Sequence, residues 1–246
     1  MESRPDAHRA DVLPPDVSHV FLDVGGTLLF PEPSAADIFR RALSSRGHVV
    51  DRESISRFMH APETIVSLIR PLSADRVAEY YRSVNARVIE HMGFESDDAM
   101  LDEIHREFDA PVTWKPFPRA VEVLRDLRAA GYRLGVISNA TPTLAEILRR
   151  TGLAPYMDTI TCSSDVGAEK PHPKIFHAAV ARAEVPPEKA VHVGDSYEAD
   201  YLGARRAGLH ALFLCREGAP PVPCPSIRSL GELSALLKGG RSHERE

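Results

Sequence analysis

The sequence predicts an α/β fold, in which a Rossmann-like, doubly wound parallel sheet core carries an inserted helical domain. Short apolar runs alternate with amphipathic helical patterns through residues 18–30 and 115–238, and this alternation is typical of a parallel sheet covered by helices on both faces. Residues 31–114 interrupt the rhythm with helical patterns and no convincing strand. With 43% hydrophobic and 26% charged residues, the composition is that of an ordinary folded protein.

Continuous apolar runs predict the strands of the core. The runs are SHVFLDV (18–24), YRLGVIS (132–138), the weaker DTITCS (158–163), AVHVGD (190–195) and HALFLC (210–215). The first run ends at Gly25-Gly26, as a buried strand that enters a tight loop should. The helical patterns between the runs span 119–131, 141–152, 172–183 and 196–208.

The inserted region predicts four helices, near 34–46, 51–60, 73–92 and 96–109. Ser34, Ser73 and Ser96 are predicted N-caps, and Gly47 and Gly93 are predicted helix stops. This pattern indicates a helical cap domain at 31–114, joined to the core through proline-containing linkers near Leu29–Pro33 and Val112–Pro118 that suit a semi-rigid hinge. The polar ends, 1–17 and 239–246, are expected to be a flexible arm and tail.

Charge and composition exclude several classes of partner. Thirty Lys and Arg residues against 35 Asp and Glu give a net charge of −5 with no long basic cluster, so we expect no nucleic acid partner. Three cysteines without metal-ligand spacing fit a reducing compartment. No stretch approaches the length of a membrane span and the first residues lack a signal-peptide core. We therefore expect a cytoplasmic monomer or homodimer that acts on a small molecule away from the membrane.

Polar residues recur where the predicted strands end, which is where doubly wound sheets bind their ligands. They are Asp23, Gly25, Gly26 and Thr27 after the first strand, Ser138 and Asn139 after the second, Asp195 after the fourth, Asp200 one helical turn further, and Lys170 before a helix. Each motif alone is compatible with a turn, a cap or a solvated charge. Their consistent order predicts one site.

These residue types suit phosphoryl chemistry. Asp23 and Asp195 can hold a hard divalent cation such as Mg²⁺, which usually takes one or two carboxylates beside phosphate oxygens. Lys170 and Ser138 can neutralise and orient the phosphoryl oxygens, while the Gly25-Gly26 backbone can approach closely and offer N–H groups. Asp23 is then placed to attack as a nucleophile.

Four segments carry a family resemblance: FLDVGGTLL, GVISNA, EKPHPKIF and HVGDSYEADYLGARRAG. Together they resemble the four motifs of the haloacid dehalogenase superfamily of hydrolases, and the helical insert resembles that of its C1-cap subfamily. The resemblance implies a Mg²⁺-dependent hydrolase of a small phosphorylated substrate with an aspartyl intermediate at Asp23. It also implies phosphoryl contacts from Ser138, Asn139 and Lys170, and metal binding by Asp195 and the Gly25 carbonyl with support from Asp200.

Gly25 departs from the family pattern, because family phosphatases carry at this position an Asp that protonates the leaving group and then activates water. Such general acid–base assistance is typically worth about 10²–10⁴ in rate, so slow turnover of alkyl phosphate esters is expected. A binding or regulatory protein with weakened catalysis, or a hydrolase of this superfamily that is not a phosphatase, remains an alternative.

Other branches fit the sequence less well. Phosphonate-cleaving relatives need a cap lysine, and residues 31–114 contain none. Haloacid dehalogenases lack the metal-binding Gly-Asp that is intact at Gly194-Asp195. Asp-Val-Gly-Gly-Thr also resembles the phosphate loop of sugar kinases, but a helical pattern follows it where a hairpin should stand.

Several nearby residues have a structural and a functional interpretation. Tyr80, Tyr81 and Trp114 could line a substrate pocket, although helix packing and a linker anchor are the simpler interpretation. His192 lies inside a strand and is expected to be a core imidazole, whereas His172 is the better candidate for a group that replaces the missing acid.

Overall fold

The computed structural model describes residues 13–59 and 77–242. Within them the strands are β1 (His19–Leu22), β2 (Leu29–Pro31), β3 (Trp114–Pro116), β4 (Arg133–Ser138), β5 (Thr159–Cys162), β6 (Ala190–Gly194), β7 (His210–Leu214) and β8 (Ser226–Ile227). Six of them form one sheet in the order β5-β4-β1-β6-β7-β8, and every pair in it is parallel. The predicted Rossmann-like α/β core is confirmed.

The helices of the described residues are α1 (Ala35–Ser44), α2 (Arg52–Met59), α3 (Val77–His91), α4 (Asp98–Asp109), α5 (Ala120–Ala129), α6 (Leu144–Arg150), α7 (Ser163–Val166), α8 (Pro173–Arg182), α9 (Gly203–Arg206) and α10 (Leu230–Ser242). The predicted helix at 196–208 begins differently, because a wide π-helical turn at Tyr197–Leu202 precedes α9. None of these helices combines the length and apolar character needed to cross a bilayer.

Side chains of the central strand alternate between two cores, one on each face of the sheet. Val20 and Leu22 of β1 pack into a cluster that includes Leu124 of α5. Phe21 points the other way and packs with Phe176 of α8. Helices therefore cover both faces, which is why the strands appear in the sequence as unbroken apolar runs.

Helices α1 to α4 lie in the chain between β2 and β3 and have a separate apolar cluster, which includes Phe39, Ile89 and Ile104. The two linkers that flank this region pair with each other, since β2 and β3 form an antiparallel ribbon with Phe30 opposite Lys115. This ribbon was not predicted from the sequence. Strand β8 was not predicted either; it follows a proline-rich loop at 217–225.

Helix boundaries in the insert test the predicted caps. Ser34 accepts a hydrogen bond from the Asp37 amide, so it caps α1 as predicted. Ser96 was a wrong prediction, because Asp97 caps α4 by accepting from the Met100 amide. Gly47 and Gly93 follow α1 and α3 with φ of 83° and 84°, the left-handed backbone expected at a helix stop. The predicted cap Ser73 lies outside the described residues.

Candidate active site

Three neighbouring strands bring the predicted residues to one edge of the sheet. Asp23 directly follows β1, Ser138 ends β4 and Asp195 directly follows β6, and these strands are adjacent in the order β4-β1-β6. The Asp23 amide donates to the Val193 carbonyl over 2.9 Å, so the backbone at the end of β1 is held against β6. Parallel pairing therefore places all three side chains at the same carboxyl edge.

A buried ammonium group joins two of the carboxylates. Lys170 Nζ donates to Asp23 Oδ1 and to Asp200 Oδ1, each over 2.6 Å, and its side chain is 3% exposed. Burial lowers the pKa of Lys170, but the carboxylates of Asp200 and Asp23 outweigh burial and raise it above its usual value. Lys170 therefore stays charged. Burial raises the pKa of Asp23, and the Lys170 charge opposes that rise.

Asp200 is hydrogen-bonded through both carboxylate oxygens. Its Oδ1 contacts His192 Nε2 at 2.9 Å as well as Lys170, and its Oδ2 accepts from the Ser196 amide over 3.0 Å. Burial would raise the pKa of Asp200, but Lys170 and His192 hold it below its usual range. Asp200 thus anchors Lys170, and the fully buried His192 is a core imidazole as the sequence suggested.

Asp195 stands at the mouth of the site and still reaches solvent. Loss of hydration among the surrounding protein atoms raises the pKa of Asp195 to about 7, and repulsion from Asp23 and Asp200 contributes to that rise. Thr27, one of the residues at the predicted site, donates its hydroxyl to Asp195 Oδ1 over 3.2 Å. A Cβ on Gly26, where φ is 77°, would lie 2.1 Å from Asp195 Oδ2. Gly26 is therefore needed for Asp195 to pack here.

The carboxylates of Asp23, Asp195 and Asp200 form a cluster whose possible ligand atoms all lie within 4.8 Å of one another. Lys170 is the cation in hydrogen-bond contact with this cluster among the described residues, and it contacts two of the three carboxylates. One positive charge leaves an excess of negative charge when the cluster is ionised. A divalent cation with oxygen ligands suits that excess.

Asn139 has a role in the structure that was not predicted. Its Oδ1 accepts from the Lys170 amide over 2.7 Å, and its Nδ2 donates to the Lys170 carbonyl over 3.0 Å. The amide group thus fixes the backbone of Lys170, and one N–H of Nδ2 remains for the predicted phosphoryl contact. Ser138 is buried beside it and lines a cavity that also reaches Gly25.

Gly25 faces the only tryptophan of the chain, Trp114. A Cβ built on Gly25 would lie 3.6 and 3.7 Å from Trp114 Cη2 and Cζ3, which is ordinary van der Waals contact. The indole Nε1 donates to the Phe108 carbonyl over 2.9 Å, and this bond fixes the ring. Trp114, predicted to be a linker anchor or a pocket wall, is both, since it also lines the cavity of about 320 Å³ next to Gly25.

Two residues of the site were not predicted from the sequence. Arg216 donates to the carbonyls of Gly26 and Thr27, the latter over 2.8 Å, and its guanidinium lies 3.8 Å from the centre of the Phe117 ring. It is the second residue after β7, which ends at Leu214, so inspection of the residues that follow every strand would have found it. Glu169 is buried next to Lys170 and accepts from the Tyr81 hydroxyl over 3.2 Å.

The remaining sequence candidates lie in different places. Tyr80 and Tyr81 of α3 both hydrogen-bond to Glu169, and Tyr81 lines the cavity. Burial raises the pKa of Glu169 to about 7.

His172 is exposed and caps α8, with its Nδ1 accepting from the Lys174 amide. The structure therefore gives His172 a capping role and shows no contact between it and the carboxylate cluster.

Comparison with known proteins gives consistent relatives. The haloacid dehalogenase-like hydrolase family model matches residues 17–208. Haloacid dehalogenase-like hydrolase domain-containing protein 3 of Bos taurus is 38% identical over 143 residues, covering 56% of this chain and 57% of that protein. Glyceraldehyde 3-phosphate phosphatase of Methanothermobacter thermautotrophicus is 42% identical over 104 residues, covering 42% of this chain and 46% of that protein. These matches thus span about half the length of the curated relatives.

A solved structure supports the same relationship over a longer span. The HAD phosphatase from Thermococcus onnurineus superposes with a TM-score of 0.61 at 27% identity, and the match covers 91% of this chain and 99% of that one.

Proposed function

Because this chain belongs to the haloacid dehalogenase-like hydrolases, we propose that it is a phosphatase that transfers the phosphoryl group of a small phosphorylated metabolite to Asp23. One observation carries the proposal: a charged Lys170 lies 2.6 Å from Asp23 Oδ1 at the carboxyl edge of the sheet. A nucleophilic carboxylate needs a fixed cation beside it to meet an anionic phosphoryl group. The phosphatase names of two relatives support the same activity.

In the proposed reaction, an oxygen of Asp23 attacks phosphorus and the bond from phosphorus to the ester oxygen breaks. The electron pair of that bond leaves with the alcohol or phenol oxygen, which takes a proton from solvent water. Water then attacks phosphorus of the aspartyl phosphate, and the bond from phosphorus to the Asp23 oxygen breaks. This step releases inorganic phosphate, restores the Asp23 carboxylate and returns a proton to solvent. Lys170 stays protonated throughout because Asp200 and Asp23 stabilise its charge, and it offsets negative charge on the transferring group.

The acidic cluster fits Mg²⁺, with Asp23, Asp195 and the Gly25 carbonyl as the proposed ligands. Bound there, Mg²⁺ would supply positive charge that reduces repulsion between Asp23 and the phosphoryl oxygens. Asp200 supports the site indirectly, since its two oxygens are engaged by Lys170, His192 and Ser196. Ser138 is the proposed hydroxyl donor to a phosphoryl oxygen.

Residues 31–114 are proposed to be the cap that covers the site, with the β2–β3 ribbon as its connection to the core. Contacts that join the two parts include the hydrogen bonds from Tyr81 to Glu169 and from Thr141 and Thr143 to Asp109. Trp114 and Gly25 line the same cavity at this boundary. These contacts surround the cavity, so substrate selection is assigned to this boundary.

Gly25 also supports a second candidate, a binding or regulatory protein whose turnover is weak. No side chain at position 25 can protonate the leaving group or activate water, so both steps lose general acid–base assistance from this position. A hydrolase of this superfamily that acts on another bond is compatible with the same nucleophile.

Labelling with radioactive acetyl phosphate and Mg²⁺ tests the proposal, because this small donor has a leaving group that needs no acid. The expected result is acid-stable label in the peptide that contains Asp23, absent from an Asp23→Asn variant. Asp165→Asn, at an exposed aspartate, is the matched control and should label normally. Unlabelled wild-type protein that still binds the donor would support the binding protein instead.

A further inference from the structure

The cavity beside Gly25 indicates which type of leaving group the site accommodates. We propose that the substrate is a phosphate monoester of an apolar phenol, whose ring occupies the cavity between Trp114 and α6; this inference rests on the proposed phosphatase function. Three features of the molecule support it: the size of the cavity, its walls and the side chain that position 25 lacks.

Size and position favour a ring. The cavity measures about 320 Å³ and is bounded at the site by Val24, Gly25, Ser138 and Asn139. A cavity of about 150 Å³ suffices for benzene, so this one has room for one or two fused rings. Val24 and Gly25 directly follow Asp23 in the chain, so the cavity lies next to the proposed nucleophile. A second cavity, lined by Arg52 and Asp195, also borders Gly25. We assign the leaving group to the first cavity because Ser138, the proposed phosphoryl contact, lines it.

The walls are mainly apolar and come from both parts of the molecule. They include Phe39, Val84, Phe108, Trp114, Leu144 and Ile147. No Lys or Arg belongs to the described lining residues, so the cavity offers no permanent positive charge to a carboxylate or a second phosphate on the leaving group. An apolar ring buried here would gain stabilisation in proportion to its area.

Several polar groups of the lining are already hydrogen-bonded within the protein. Asp109 accepts from the hydroxyls of Thr141 and Thr143, Tyr81 donates to Glu169, and Asn139 holds Lys170. A polyol leaving group would lose its hydrogen bonds to water on entering and find few replacements, and a buried polar group without a partner is unfavourable. Ser138, Asn85 and His105 are the other polar side chains of the lining. Ser138 is the proposed phosphoryl contact, so Asn85 and His105 are left for the leaving group, and they suit one polar substituent better than a sugar.

The missing acid at Gly25 and the aromatic surface of Trp114 both favour an aryl ester. A phenolate departs without a proton from the enzyme more easily than an alkoxide does, because its conjugate acid is much stronger, so the absence of an acid at position 25 matters least for an aryl ester. The indole lies 3.6 Å from where a Cβ of residue 25 would stand. It offers an aromatic face or edge beside position 25, and a ring packed against it is stabilised beyond the burial of its area.

The test distinguishes the effect of the cavity on the rate from the effect of leaving-group acidity. We would compare kcat/KM for 2-naphthyl phosphate and 4-carboxyphenyl phosphate, whose phenols have similar acidity but differ in charge and size. The expected preference for the naphthyl ester is at least about 10-fold, as for other apolar groups in apolar pockets. Val84→Arg should reduce this preference, whereas Ser83→Arg, at the exposed neighbouring position of α3, should leave it intact.

A binding measurement gives an independent answer if Val84→Arg fails to fold. Trp114 is the only tryptophan, so its emission reports on the cavity directly. Benzylphosphonate should shift that emission at concentrations at least about 10-fold lower than glycerol 3-phosphate requires.

Equal kinetic constants for the two aryl esters, or equal affinity for the two probes, would overturn the inference. If acetyl phosphate still labels Asp23 in that case, the proposed function stands. Absence of that labelling would overturn the proposed function, and the inference with it.

Discussion

Replacement of Gly25 by Asp restores the carboxyl group that the sequence lacks, and the structure shows that position 25 can accept it. The backbone there lies outside the left-handed region, and an added Cβ meets Trp114 at 3.6 Å, an ordinary contact. Cavities border Gly25 on both sides of the indole, so the carboxyl group has room to face the leaving group. We therefore expect Gly25→Asp to fold.

The expected gain depends on the leaving group. A well-placed acid–base group contributes about 10²–10⁴ in rate; because the indole restricts where the new carboxyl can stand, we expect about 10-fold or more for an alkyl ester such as glycerol 3-phosphate. The gain for 4-nitrophenyl phosphate should be smaller, since its leaving group needs no proton. The ratio of the two kcat values should therefore change in favour of the alkyl ester.

Steady-state kinetics on both esters with Mg²⁺ present measure this ratio, and Gly25→Asn is the matched control because it has nearly the same shape without an acid. A gain shared by Gly25→Asn would show that shape, and not proton transfer, is responsible. A folded Gly25→Asp protein with no gain on any alkyl ester would refute the reasoning that the missing carboxyl limits this site.

Three further changes test other parts of the site. Lys170→Met should lower the rate of phosphoryl transfer by about 10² or more and the free energy of unfolding by about 3 kcal/mol, because it leaves two buried carboxylates without their cation; rapid-quench kinetics and urea unfolding measure these effects, and wild-type rates would exclude Lys170 from the reaction. Asp195→Ala should lose Mg²⁺ affinity in calorimetry, whereas unchanged affinity would place the metal elsewhere. Glu169→Gln should remove a pH dependence of stability: a folded-state pKa of about 7 exceeds the unfolded value, so the stabilising proton is present at acidic pH and lost as pH rises through 7. Wild type should therefore lose about 2 kcal/mol more than the variant between pH 5 and 8, and parallel unfolding curves would contradict this.

The core could be predicted from the sequence because its signals are local. An apolar run that ends in Asp, Ser or Gly marks both a buried strand and its carboxyl end, and parallel pairing then brings Asp23, Ser138 and Asp195 together without further information. The helix caps show the limit of such reasoning. Ser96 and Asp97 are both good N-caps, and the structure uses Asp97, which accepts from the Met100 amide.

Side-chain partners that are distant in the chain could not be predicted, because the same residue type suits several roles. Asn139 and Lys170 follow different elements, and the structure uses the Asn139 amide to hold the Lys170 backbone, whereas the family resemblance implied only a phosphoryl contact. Nothing in the local pattern distinguishes a free amide from one that both donates and accepts within the protein. Arg216 is similar, since its contacts are backbone carbonyls that no motif displays.

The pairing of Gly25 with Trp114 shows the same limit for the chemistry of the site. The indole is fixed at its nitrogen by the Phe108 carbonyl at the end of α4 and is carried by β3 at the return from the insert to the core. Its position against the nucleophile loop therefore depends on how the two parts of the chain dock. Residue 25 carries no acidic group, and the ring places an apolar surface beside it at a distance that still leaves room for a Cβ. A sequence motif records only the first of these features, whereas the second decides which leaving groups the site can accommodate.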